Sequence, residues 1–150
     1  DLLKERKKTI SLAESCTGGH LVAQITSFAG ASEILKGAIV PYTNSAKHYL
    51  LDVPREIFEQ KGAVSEECVT HLARNVLARF GSDYSISISG IAGPSGGTAE
   101  KPVGTVWIAV AGADRVVARK FRFGDIRQQN ITMSSNAAAD MLRKFVLGEL

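Results

Sequence analysis

The sequence predicts a three-layer α/β/α domain with a mixed central sheet, on three observations. Short runs with apolar residues at period two, such as Ile86 and Ile88, alternate with stretches whose apolar residues recur at helical spacing. Two runs at 106–111 and 116–123, joined by Gly112-Ala113-Asp114, read as a β-hairpin and so add antiparallel strands. At 150 residues and 45% hydrophobic, with no repeat, low-complexity tract or linker, residues 1–150 are expected to form a single domain around one core.

Taken in order, residues 2–8 read as the tail of a helix, with further chain expected before Asp1, and 9–13 as a strand. Glu14-Ser15-Cys16-Thr17-Gly18-Gly19 then forms a polar turn into a helix with Leu21, Val22, Ile25 and Phe28 on one face. The first N–H groups of a helix lack intrahelical partners and favour an anion. Gly18 and Gly19 each cost ~1 kcal/mol against Ala in a helix, which argues for close approach by a ligand or a neighbouring backbone. A plain N-cap by Ser15 or Thr17 explains the segment equally well.

Ser32-Glu33-Ile34-Leu35 reads as a short helical turn capped by Ser32, and 36–42 as a strand that Pro41 ends or confines to an edge. Helices follow at 43–51 and after Pro54, the second ended by Gly62. The clearest helix is 65–80, capped by Ser65 and striped by Cys68, Leu72, Ala73, Val76, Leu77 and Phe80, which makes Cys68 a core residue. A strand at 85–89 runs into a loop with Gly90, Gly93, Gly96, Gly97 and Gly104. A loop of this length between strands is either functional or loose. The last helix begins after Gly124-Asp125 and buries Ala138, Met141, Leu142, Phe145 and Val146.

The net charge of +3 is small, and the one basic cluster, Lys4, Arg6, Lys7 and Lys8, has no interleaved aromatics, so nucleic acid is not the expected partner. An anionic small molecule remains compatible. No apolar run reaches the ~20 residues of a membrane helix and no signal peptide is visible, so no membrane partner and a cytoplasmic location are expected. Cys16 and Cys68 form no framework, and His20, His48 and His71 have no ligand spacing; no metal site is expected.

The common nucleotide and hydrolase signatures, G-x-x-x-x-G-K-[ST], G-x-G-x-x-G and G-x-S-x-G, do not occur. Hydroxyls and lysines beside glycine-rich turns remain. A serine can be activated by a neutral, desolvated lysine. Lys47 follows Tyr42 by five residues across the turn into a helix, so the two could line one pocket, although an ordinary surface lysine fits the same spacing.

Four ordered motifs nevertheless carry a resemblance. Ala13-Glu14-Ser15-Cys16-Thr17-Gly18-Gly19, Tyr42-Thr43-Asn44-x-x-Lys47, Gly62-Ala63-Val64-Ser65 and the run from Ser89-Gly90-Ile91-Ala92-Gly93-Pro94 to Lys101-Pro102-Val103-Gly104-Thr105-Val106 together resemble the C-terminal domain of the competence/damage-inducible CinA family, over nearly the whole chain. The resemblance implies an amidase that converts nicotinamide mononucleotide (NMN) to nicotinate mononucleotide and ammonia, with no cofactor. It implies Ser32 as nucleophile, Lys47 as general base and Tyr42 in support. Ser89 and Arg127 are further family positions. The substrate is expected to lie against Ser15, Thr17, Gly18, Gly19, Ser89, Gly90, Gly93, Gly96, Gly97 and Arg127, and a homodimer is the expected assembly. Many members read G-D-R-x-x-[IV]-R where this chain has Ile126, Arg127 and Asn130. That departure supports the rival reading, a catalytically silent nucleotide-binding or dimerisation module.

Overall fold

β1 (Ile10–Glu14) is buried along its whole length, and the sheet extends from it in both directions. The computed structural model describes residues 1–150. Five strands stand in the order β2-β1-β3-β4-β5. β1 pairs in parallel with β2 (Leu35–Ile39) on one side and β3 (Tyr84–Gly90) on the other. β4 (Thr105–Ala111) runs antiparallel to β3 and to β5 (Val116–Arg122), so the sheet is mixed, as the sequence predicts.

Alternation along the strands assigns the layers. Ile10, Leu12, Ile86, Ile88, Val106, Ile108 and Val110 face one way and pack with Leu3 of α1 (Leu2–Glu5), Leu21 of α2 (His20–Thr26) and the Ala138, Met141, Phe145 and Val146 stripe of α6 (Arg127–Leu147). Ala13, Ala109 and Ala111 face the other way, towards α3 (Asn44–Leu51), α4 (Arg55–Gln60) and α5 (Glu66–Phe80). The Ser65 hydroxyl accepts from Cys68 N at 3.2 Å and Gly81 ends α5 with φ +61°. Cys68 is fully buried in its stripe, as expected.

Alternation also places Ser85, Ser87 and Ser89 on the α5 side, where an apolar/polar pattern would ordinarily face water. They are buried instead. Ser87 Oγ donates to Val69 O at 2.6 Å, Ser85 Oγ to Ala73 O at 2.6 Å and Ser11 Oγ, on β1, to Val76 O at 3.2 Å. Small side chains with one proton each let the helix lie close to the strands while every hydroxyl is satisfied, each bond contributing about 1 kcal/mol.

Local expectations are corrected at three places. α1 ends at Glu5, and Lys7 leaves it with φ 53°. β2 spans Leu35–Ile39 and so stops short of the expected 42, although it is an edge strand as Pro41 implied. Ser32 lies in a 3-10 turn (Ala31–Glu33) but does not cap it, because Gly30, with φ +82°, occupies the N-cap position and no side-chain cap bond forms.

The connection from β1 to β2 carries α2 on one face, while that from β2 to β3 carries α3, α4 and α5 on the other. The crevice between the carboxyl ends of β1 and β3 is therefore the topological switch point, where open α/β sheets bind ligands. No helix is long and apolar enough to cross a membrane.

Candidate active site

Lys47 lies in the first half of α3, whose start is fixed by the Thr43 hydroxyl accepting from Ala46 N at 3.0 Å. Its side chain is only 2% exposed and runs inward to the end of β1. Nζ lies 2.9 Å from Ser15 Oγ and donates to Tyr42 O at 3.0 Å. Ser15 is the first residue after β1, and its N–H donates to Ile88 O at 3.0 Å, which pins it at the split between β1 and β3.

No carboxylate pairs with Lys47, and burial lowers its pKa from the ordinary 10.5. The thiols of Cys68 and Cys16 would oppose that shift only as thiolates. Burial pushes them up to about 11 and about 12, so at neutral pH they carry no charge. A lysine with a lowered pKa hydrogen-bonded to a buried serine is the arrangement that lets the amine take the hydroxyl proton.

Glu14 sets the shape of the turn that follows. Its carboxylate is fully buried and accepts from Leu21 N at 2.9 Å, Val22 N at 2.8 Å and Thr17 Oγ1 at 2.7 Å. The start of α2 thus already holds an anion supplied by the chain itself. This corrects the expectation for Thr17, Gly18 and Gly19, which do not line the cavity beside Lys47. Thr17 orients Glu14, and Gly18 and Gly19 supply the positive φ of the turn, +60° and +98°.

The cavity, of about 270 Å³, is bounded by Ser15, Tyr42 and Lys47 on one side and by Ser89, Gly90, Gly93, Gly96 and Arg127 on the other. Arg127 donates to Gly93 O at 2.7 Å and to the Tyr42 hydroxyl at 3.2 Å, bridging the two walls. The amides of Cys16 and Thr17, and of Ala92, Gly93, Ser95 and Gly96, meet no protein acceptor. Asn130, 1% exposed, donates from Nδ2 to Ala92 O at 2.9 Å and Gly124 O at 3.0 Å and accepts from Gly124 N at 3.0 Å. It is a brace for the glycine loop. Gly97 stands outside the cavity; a Cβ there would lie 2.7 Å from Val103 N, so the glycine serves the folding of the loop.

Ser32 is not part of this constellation. Ile10 of β1 lies opposite Leu35 of β2 and Ala13 opposite Ile39. A residue preceding β2 therefore sits at the amino edge of the parallel strands, ~13 Å along the strand direction from the edge that carries Ser15, taking ~3.3 Å per residue. Ser32 is also exposed. The serine that Lys47 meets is Ser15, assigned from the sequence to substrate contact alone. Its signal was its place directly after a buried strand at the switch point. Glu14 and Asn130 had no such signal, because a buried polar side chain shows itself only through its partners. Three larger cavities, of about 660, 680 and 350 Å³, lie at the opposite sheet edge, beside α2 near Phe28 and along α6 at Gln128 and Thr132, without a nucleophile paired to a base.

Fold and site together define a three-layer α/β domain with a buried serine–lysine pair at its switch point. The chain matches the family model described as the CinA C-terminal domain over residues 1–146, and it belongs to that family. It is 50% identical over 143 residues to a CinA-like protein of Cytophaga hutchinsonii, covering 95% of this chain and 34% of the relative. It is 45% identical over 147 residues to a CinA-like protein of Thermotoga maritima, covering 98% and 36%. The chain thus spans about a third of the length of these curated relatives. Among solved structures it is similar to the CinA superfamily protein KP700603 of Klebsiella pneumoniae, with TM-score 0.94, 32% identity and coverage of 97% and 91%. It is also similar to the competence/damage inducible protein CihA of Agrobacterium tumefaciens, with TM-score 0.91, 36% identity and coverage of 93% and 86%.

Proposed function

We propose that this domain is an amidohydrolase that converts NMN to nicotinate mononucleotide and ammonia, with Ser15 as nucleophile and Lys47 as its base. The observation that carries the proposal is the 2.9 Å contact between the buried Lys47 Nζ and Ser15 Oγ, with no carboxylate to hold the lysine in its charged form. In the reactive state neutral Lys47 keeps one N–H on Tyr42 O and turns its lone pair to the Ser15 hydroxyl.

Ser15 Oγ bonds to the carboxamide carbon as its proton passes to Lys47. The tetrahedral oxyanion finds a donor in the free amide of Cys16, which lines the cavity next to the nucleophile. The C–N bond then breaks while Lys47 returns the proton to the departing nitrogen, releasing ammonia and leaving an ester on Ser15. Water, deprotonated by Lys47, attacks that ester, and Ser15 recovers its proton as the carboxylic acid leaves. The ribose phosphate suits Arg127 and the unpaired amides of Ala92, Gly93, Ser95 and Gly96. The chemistry consumes only water.

The departure at Asn130, which favoured a silent module, has another explanation: the residue braces the loop and need not touch substrate. The test is purified protein with NMN, assayed for ammonia and nicotinate mononucleotide. Ser15→Ala and Lys47→Ala should each lower the rate by about 10³-fold or more, and Ser32→Ala should leave it near wild type. Binding of NMN without product would leave the silent module; a crippled Ser32→Ala with an active Ser15→Ala would reject the assignment of the nucleophile.

A further inference from the structure

We infer that Ser89 is the specificity-determining residue that reads the leaving nitrogen, accepting a hydrogen bond from the substrate's carboxamide N–H and so selecting an amide over a carboxylate. The inference rests on the proposed amidohydrolase reading and goes one group further into the site.

Position comes first. Glu14 of β1 pairs with Ile88 of β3, so the next residues along the two parallel strands, Ser15 and Ser89, are neighbours across a strand spacing of ~4.8 Å. Both belong to the α5 side of the sheet, since Ser11, Ala13 and Ser15 alternate in phase with Ser85, Ser87 and Ser89. Both line the same cavity, and Ser89 is 2% exposed. A group on the acyl carbon attacked by Ser15 therefore falls within reach of Ser89.

Polarity follows from the proton count. A serine hydroxyl has one hydrogen and two lone pairs. Ser89 Oγ lies 2.9 Å from Ala63 O, and a carbonyl only accepts, so the hydrogen is committed there. No other protein group donates to Ala63 O, so turning that hydrogen towards a ligand would leave the carbonyl unpaired. Towards the cavity Ser89 consequently offers lone pairs alone. A carboxamide nitrogen, with two N–H groups, satisfies them; a carboxylate, which has no proton to give, meets them with like polarity. The same residue that holds the amide thus disfavours the acid product.

The experiment compares two substrates that differ at this group, NMN and the methyl ester of nicotinate mononucleotide, which has no N–H on its leaving atom. Ser89→Ala should lower kcat/KM for NMN by about 30-fold while the ester changes less than about threefold, and Ser89→Thr, which keeps the hydroxyl, should restore amide turnover. An equal fall on both substrates, or no fall on either, overturns the inference and makes Ser89 a structural residue. If wild-type protein hydrolyses neither, the amidohydrolase reading fails, and the role of Ser89 is then judged by calorimetry alone. Ser15→Ala protein should bind NMN at least ~10-fold more tightly than nicotinate mononucleotide, and Ser15→Ala/Ser89→Ala should lose that preference. A preference unchanged by Ser89→Ala, or binding of neither nucleotide, overturns the inference.

Discussion

Lys47 is held by the main chain of Tyr42 and not by its phenol: Nζ lies 3.0 Å from Tyr42 O, whereas the phenol, on a side chain 54% exposed, accepts from Arg127 at 3.2 Å. A tyrosine five residues before a lysine suggests a side-chain relay, and the geometry assigns the work to a carbonyl that any residue would carry. Tyr42→Phe should therefore keep kcat within about threefold of wild type, with any change appearing in KM through Arg127. A proton relay through the phenol would instead cost on the order of 10²-fold in kcat. Steady-state kinetics on NMN separates the two.

Burial of Lys47 has a thermodynamic signature. Its folded pKa lies below 10.5, so between the folded value and 10.5 the unfolded chain binds more protons, and stability rises with pH across that window. Below the folded value the charged form is buried at full cost. Lys47→Met, similar in volume and uncharged, should be inactive yet more thermostable than wild type at neutral pH, with the gap in Tm narrowing as the pH approaches 10.5. A gap independent of pH would show that the lysine is not desolvated.

The hydroxyl rungs under α5 invert the usual ranking of core substitutions. Ser87 is fully buried and donates to Val69 O at 2.6 Å. Ser87→Ala should cost only about 1 kcal/mol, the worth of the bond. Ser87→Val, although more hydrophobic, adds volume where the helix lies close and should cost about 1–3 kcal/mol. Denaturant melts of the two variants give the order directly.

Asn130 braces both Ala92 and Gly124, so its loss acts on the loop before it acts on chemistry. Asn130→Ala leaves Ala92 O and the Gly124 amide short of their partners and should destabilise the fold by about 1–3 kcal/mol while raising KM for NMN more than it lowers kcat. Asn130→Arg, the residue that the family resemblance leads one to expect there, should be no better, because the site is 1% exposed and shaped to the main-chain groups of Ala92 and Gly124 that the short amide now bridges.

The layered fold was legible because Ile10, Leu12, Ile86 and Ile88 alternate as strand residues while Cys68, Leu72 and Val76 recur at helical spacing. Lys47, Tyr42 and the wall from Ser89 to Gly96 were legible through their motifs. The partner of Lys47 was not, since Ser15 lies 32 residues away and only the order β2-β1-β3 brings them together. Thr17, Gly18 and Gly19 misled for a related reason: a polar, glycine-rich helix entry looks alike whether its anion is a ligand or, as here, the carboxylate of Glu14.

On the proposed reading, the order of strands also governs when Ser15 becomes a nucleophile. Ser15 is made before Lys47, and β3, which pins Ser15 through Ile88 O, and α6, which brings Arg127, follow later in the chain. Until the sheet closes, Ser15 is an ordinary hydroxyl and Lys47 an ordinary solvated cation. A nascent or partly unfolded chain therefore carries no activated nucleophile, and under the proposed function amidase activity would report directly on completed folding.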